Sequence, residues 1–181
     1  MTSSASRIVT AAREGQACVY LGLGTNLGDR RTRLDDAVRA LGDIVSVEAV
    51  SPVYASAPIG YADQPEFWNA VVRVRTELSP EALLVELKRL EHALGRQATF
   101  RNGPREIDID VLVYDDAVLT GPPEIPHPRM HERAFVLQPL LDLDAGLRDP
   151  RTDRPWADYL PAVAGQRLER VAVRPRLEED G

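Results

Sequence analysis

GPREIDIDV, residues 103–111, is the stretch from which the rest of the chain can be read. Gly103-Pro104 is a turn dipeptide, and behind it acidic and aliphatic residues alternate. Side chains on a strand point alternately to its two faces, so Ile107, Ile109 and Val111 share one face and Asp108 and Asp110 the other. Residues two apart on a strand lie roughly 7 Å apart along the backbone. Two carboxylates so placed can share one metal ion or flank a pair of ions about 3.5–4 Å apart. Arg96, Arg101 and Arg105 stand just before them. Carboxylates suited to Mg²⁺ beside guanidinium groups suited to phosphate oxygens are the chemistry of phosphoryl transfer. Alternating charge is also the ordinary solvated face of a half-buried sheet, and the stretch alone leaves both readings open.

Composition narrows the field. The chain has 181 residues, 44% apolar and 28% charged, which suits one soluble domain with a real core. Its net charge of −6 lacks the basic footprint of a general nucleic-acid binder, while a local arginine cluster remains compatible with a nucleotide site. The single cysteine, Cys18, excludes an internal disulfide framework and a cysteine-based zinc site. No apolar run has the length of a membrane span. Residues 1–17 are polar and Ser/Ala-rich, without the apolar core of a signal peptide. The expectation is a cytoplasmic, monomeric enzyme with a loose extension over 1–17, a domain over 18–162 and a tail over 163–181, bound to neither nucleic acid nor membrane.

Outward from the opening stretch, the pattern is regular. Residues 18–24 predict a buried strand with Val19, Leu21 and Leu23 on one face, and Gly22 and Gly24 leave room for something to approach the backbone. GLGTNLGDR lacks the Gly-Lys-Ser/Thr ending of a phosphate-binding P-loop, so it reads as a strand-to-helix turn. The spacing of Leu34, Ala37, Val38 and Leu41 predicts a helix over 30–41. Residues 44–54 predict one strand with Pro52 near its end, and 55–66 a long loop. FWNAVVRVRTE predicts a strand with Trp68, Ala70, Val72 and Val74 toward the core and Phe67, Asn69 and Val71 on the other face. Ser79-Pro80-Glu81 starts a second helix whose core stripe is Leu83, Leu87, Leu90 and Leu94, with Lys88 and Glu91 as surface charges. A short β-return is expected after Asp116, then a helix near 133–143 and a short one near 156–160.

The order is β-α-β-β-α-β plus C-terminal additions. It predicts an α+β, ferredoxin-like antiparallel sheet with helices on one face and the other face free for a ligand. Phe67, Asn69, Asp108 and Asp110 would then share that free face.

Five segments, in order, carry a family resemblance: LGLGTNLGDR (21–30), SPVYASAPIGYADQPEFWNAV (51–71), LKRLEHALGR (87–96), GPREIDIDVLVYDD (103–116) and IPHPRMHERAFVLQPLLDL (125–143). From about Tyr20 to Leu143 the chain resembles the 6-hydroxymethyl-7,8-dihydropterin pyrophosphokinases of folate biosynthesis. The resemblance implies transfer of pyrophosphate from ATP to the hydroxymethyl oxygen of 6-hydroxymethyl-7,8-dihydropterin, with release of AMP. It implies that Asp108 and Asp110 hold two Mg²⁺ ions, and that Arg96 and Arg105 join them as catalytic residues. It implies a pterin stacked between Phe67 and Phe135 and read at its edge by Asn69 and by groups around Ser56, Ala57 and Ile59. Lys88, Arg96, Arg105, Val111, His127 and Arg133 fall at positions implied to bind ATP, and the loop around Arg101 at a lid. The chain departs from the family pattern at Asn102, where a tryptophan is common, and at Ala57, where a proline is frequent. Neither the residues nor the resemblance names a general base.

Overall fold

A computed structural model describes residues 15–58, 63–95, 106–173 and 175. Ile59, Arg96, Arg101, Asn102, Gly103, Pro104 and Arg105 lie outside the described residues. The described elements are β1 (Ala17–Thr25), α1 (Arg30–Leu41), β2 (Ser46–Val50), β3 (Val53–Ser56), β4 (Phe67–Thr76), α2 (Pro80–Ala93), β5 (Asp108–Tyr114), α3 (Ala134–Leu143), α4 (Leu160–Val163) and β6 (Leu168–Val171). Single 3₁₀ turns at Met130–Glu132 and Trp156–Tyr159 precede α3 and α4. The strands form one antiparallel sheet in the order β5–β1–β4–β3–β6, with β2 also paired to β4.

Both leading helices begin where their capping chemistry dictates. The Asp29 carboxylate accepts the Thr32 N–H at 3.1 Å, and the Ser79 hydroxyl accepts the Ala82 N–H at 3.2 Å. Each satisfies one of the donors a first helical turn leaves without a partner. Beyond α2 the chain turns at Gly95, whose φ of +93° favours a residue without a Cβ. The apolar stripes of α1 (Leu34, Ala37, Val38, Leu41) and α2 (Leu83, Leu87) pack on Val19, Leu21, Leu23, Ala70, Val72, Val74, Ile109 and Val111 of the sheet. Each fully buried aliphatic side chain contributes about 1.5–3 kcal/mol relative to exposure.

Four smaller features differ from the sequence expectation. Residues 44–54 do not make one strand. Pro52 has no N–H to offer the ladder, so β2 and β3 pair separately with β4, and the Ser51 hydroxyl between them accepts the Val71 N–H at 2.8 Å. Glu91 is not a surface charge but is only 2% exposed. It follows Leu83 and Leu87 at steps of four and therefore lies on the buried stripe itself. The β-return after Asp116 reduces to one isolated bridge, Leu119 to Ile125. Within the expected tail, Leu168–Val171 forms β6 on the edge of β3.

The largest difference concerns the second face of the sheet, expected to be free. α3 lies on part of it, burying Val136, Leu137, Leu140 and Leu141 with Tyr20, Val71, Leu112 and Val113. A bulge in β5 makes this packing continuous. Tyr20 pairs with Val113 and Leu21 with Val111, so Leu112 is the extra residue, and Leu112 and Val113 both join the second core. Two tyrosines fix the far end of α3: the Tyr54 hydroxyl donates to Asp142 and the Tyr20 hydroxyl to Asp144 at 2.9 Å. The part of the face left uncovered is where β1, β4 and β5 present Gly24, Asn69 and Asp108 in one row.

Candidate active site

That uncovered area is the floor of a cleft open to solvent. Register sets its layout. Gly24 is paired with Asn69 on one side and Asp108 on the other, and Gly22 with Val71 and Asp110. Neighbouring strands are about 4.8 Å apart, so Asn69 and Asp108 stand roughly 10 Å apart across the floor. The glycines keep the floor open. A Cβ at Gly24 would come 3.4 Å from Asn69 Oδ1, and one at Gly22 3.4 Å from Leu112. The walls are Ser56 and Ala57 at the end of β3, Phe67 at the start of β4, and Arg133, Phe135 and Val136 at the start of α3. Half-buried aromatic rings from opposite elements thus border a floor with one amide on one side and two half-buried carboxylates on the other.

The amide is held in one orientation. Asn69 is 5% exposed, and its Nδ2 donates to the Tyr54 carbonyl at 3.1 Å and to Ser56 Oγ at 2.8 Å. Its Oδ1 therefore turns toward Gly24 and the cleft, presenting an acceptor to a donor-bearing heterocycle edge. Phe67 is held from outside the cleft. Asn26 Nδ2 donates to Gln64 Oε1 at 2.8 Å and to the Pro65 carbonyl at 3.0 Å. Arg30 donates to the Glu66 carbonyl at 2.9 Å and lies 4.7 Å over the ring of Trp68. The strand-to-helix turn of GLGTNLGDR thus grips the chain on both sides of Phe67, a role its sequence gives no sign of.

On the carboxylate side, Arg133 lies 5.6 Å over the Phe135 ring and within the electrostatic reach of Asp110 and Asp108. Burial pulls its guanidinium below the usual arginine range, Arg129 adds to that, and the two aspartates oppose it. An anion arriving here would relieve the crowding of Arg133 and Arg129. His127 hangs from the edge of β5, its N–H bound to the Leu112 carbonyl at 2.9 Å, and its Nδ1 accepts the Arg129 N–H at 3.2 Å. The neutral ring therefore carries its proton on Nε2. Burial, with Arg133 and Arg129 beside it and Asp108 opposing, pushes its pKa down from 6.5 to about 4. Because the folded value is the lower one, the unfolded chain takes up a proton that the fold does not as pH falls from about 6.5 toward 4. This contribution to stability is present above that window and lost through it. In the ligand-free protein the His127 ring signals followed by NMR are expected to titrate near pH 4, and a midpoint near 6.5 would contradict this placement.

The comparisons with known proteins bear directly on this cleft. Residues 20–145 match the family model of 7,8-dihydro-6-hydroxymethylpterin-pyrophosphokinase. The chain belongs to this family. It is accordingly a pyrophosphokinase of folate biosynthesis. It is 39% identical to the 2-amino-4-hydroxy-6-hydroxymethyldihydropteridine pyrophosphokinase of Aquifex aeolicus, over 80% of this chain and 91% of that one. It is 40% identical to the protein of the same name from Pseudomonas aeruginosa, over 84% of this chain and 96% of that one. It spans only 21% of the folic acid synthesis protein of Pneumocystis carinii, at 40% identity. Among solved structures, wild-type Plasmodium falciparum HPPK-DHPS with pterin and p-hydroxybenzoate aligns with a TM-score of 0.68. The alignment covers 87% of this chain and 45% of that one at 15% identity, a likeness of fold alone.

Of the residues that the family resemblance singles out, Ser56, Ala57, Phe67, Asn69, Asp108, Asp110, Arg133 and Phe135 come together in the cleft. His127 stands beside it, in the field of Asp108 and Arg133. Lys88 is exposed on α2 and pairs with the buried Glu91 at 3.4 Å. The Val111 side chain is packed in the core on the helix side, so only its backbone, on the edge strand β5, is left to meet a ligand. Arg96, Arg105 and Ile59 lie outside the described residues. Among the described residues no three His, Cys, Asp or Glu side chains gather into a group that could hold a metal by themselves. Asp108 and Asp110 nevertheless fit Mg²⁺, which takes oxygen donors and commonly binds through one or two carboxylates plus substrate phosphates. The Cβ-free Gly22 and Gly24 opposite them keep the adjoining floor clear.

Proposed function

We propose that the cleft binds 6-hydroxymethyl-7,8-dihydropterin beside ATP and that pyrophosphate passes from ATP to the pterin's hydroxymethyl oxygen, releasing AMP. The observation that carries this reading is the layout of the floor: an oriented amide between aromatic walls on one side and, across Gly24, two carboxylates beside Arg133 on the other. Asn69 Oδ1 accepts from the pterin's ring N–H and amino groups, while Phe67 and Phe135 supply apolar faces for the flat ring. An edge lacking those donors would leave the buried Asn69 oxygen unpaired, which is how a hydrogen-bonding site discriminates. Ser56 and Ala57 line the same side, and the family pattern assigns Ile59 to pterin recognition with them.

On the other side, Asp108 and Asp110 would hold two Mg²⁺ ions, which would supply charge neutralisation of the triphosphate. Arg133 orients phosphate oxygens, and His127 offers its Nε2–H as a neutral donor that costs no proton at physiological pH. Arg96, Arg105 and Lys88 add cations to the same polyphosphate, and the Val111 backbone meets the nucleotide. Phosphoryl transfer of this kind depends on positioning and fixed charge rather than on a nucleophilic side chain. The same reading takes β1 to β5, with α1 and α2, as a ferredoxin-like core to which α3 adds one wall of the site, and places the protein in the cytoplasm as a monomer.

The test is a product analysis. Protein incubated with ATP, Mg²⁺ and the pterin alcohol is expected to form AMP in equal amount to pterin consumed. ADP or free phosphate as the main product would contradict the proposal.

A further inference from the structure

Arg133 carries much of the anion side of the cleft, and its backbone joins the Met130–Glu132 turn to α3: its N–H donates to the Met130 carbonyl at 3.3 Å, and its carbonyl accepts the Val136 and Leu137 N–H groups at 3.1 and 3.0 Å. It stands at the N-cap position of α3 with an extended backbone, φ −125° and ψ 109°, and its side chain caps nothing. The first N–H of α3, that of Ala134, would be left without a partner, as the opening donors of any helix are. It is instead taken by a residue from the far end of the chain. Gln166 Oε1 accepts the Ala134 N–H at 2.9 Å, and Gln166 Nε2 donates to the Glu132 carbonyl at 2.7 Å. One planar amide thus grips the backbone on both sides of Arg133. Gln166 is itself set by its N–H bond to the Val163 carbonyl at 3.0 Å. Val163 belongs to the second core together with the fully buried Trp156 and Met130. The family match ends at residue 145, so this brace comes from a segment the family model does not cover.

We propose that Gln166 is a positioning residue for Arg133: its side-chain amide fixes the turn from which the guanidinium reaches toward the triphosphate. The inference rests on the function proposed above. Gln166 lies on the surface and does not line the cleft. Its loss removes two hydrogen bonds and lets the start of α3 shift, and a displacement of an ångström at a site group can cost up to about a hundredfold in rate.

The experiment compares wild type with Gln166→Ala, Arg133→Ala and the double variant. Each is followed by steady-state kinetics with ATP, thermal melting and amide hydrogen exchange. Gln166→Ala is expected to lower kcat/KM for ATP about tenfold while the melting midpoint shifts by no more than a few degrees, and to speed exchange of the Ala134 amide. In the Arg133→Ala background the same substitution should cost nothing further, because its effect passes through Arg133. Faster exchange with unchanged kinetics would overturn the inference by leaving Gln166 a purely structural cap. So would an equal loss in both backgrounds, or wild-type kinetics in Arg133→Ala. A wild-type protein that turns over normally while Gln166→Ala matches it sinks this inference alone. A wild type that forms no AMP sinks the proposed function, and the positioning role falls with it.

Discussion

Asp108→Asn is expected to lower turnover by about 10²–10³-fold, with Asp110→Asn doing the same, while both proteins stay folded. The size follows from removing one preorganised charge from a phosphoryl-transfer site. Asparagine keeps the shape of the side chain and one oxygen but not the charge that holds Mg²⁺. Folding should survive because the two carboxylates lie on the cleft face of β5, opposite Ile109 and Val111, which carry the core packing. Activity measured against rising Mg²⁺ should show a higher requirement in either variant, and the urea midpoint should move little. Near-normal turnover of either variant at ordinary Mg²⁺ would refute the two-carboxylate arrangement.

The second large effect is expected at the opposite side of the floor. Phe67→Ala should weaken pterin binding by about 1–3 kcal/mol, the range found when an aromatic stacking partner of a flat base is removed. The affinity for a non-hydrolysable ATP analogue should stay within about twofold, since Phe67 lies with Asn69 rather than with Arg133 and the aspartates. The substitution leaves the grip on its neighbours intact, because Asn26 and Arg30 hold Gln64, Pro65, Glu66 and Trp68 rather than the ring of Phe67. Calorimetric titration with each ligand separates the two sides. An unchanged pterin affinity would remove the stacking role.

How much of this was visible beforehand depends on whether a residue's environment is set by its own strand or by a distant one. Asp108 and Asp110 could be placed on one face by alternation alone, as could Phe67 and Asn69, because period two is a property of each strand by itself. That Gly24 would stand between Asn69 and Asp108 needed the register of three strands, which alternation does not supply. The bulge at Leu112 was hidden for the same reason: an extra residue shows only against its partner. α3 was legible as a helix from Val136, Leu140 and Leu141, but nothing in its stripe says which face of the sheet receives it. Glu91 departs from the rule that charge lies at the surface, because its helical phase places it on the buried stripe. Arg133 and Phe135 reached the site by family resemblance. Gln166 could not have been found that way, since its two bonds are made to backbone groups more than thirty residues away.

The claim that matters most is that both outer phosphates leave ATP together and end on the pterin. ATP labelled at its β-phosphorus tests it directly. Incubated with the protein, Mg²⁺ and the pterin alcohol, the label is expected to move into the pterin fraction, one β-phosphorus for each pterin consumed. Label that stays with the nucleotide while the pterin is phosphorylated would show transfer of a single phosphoryl group and contradict the account.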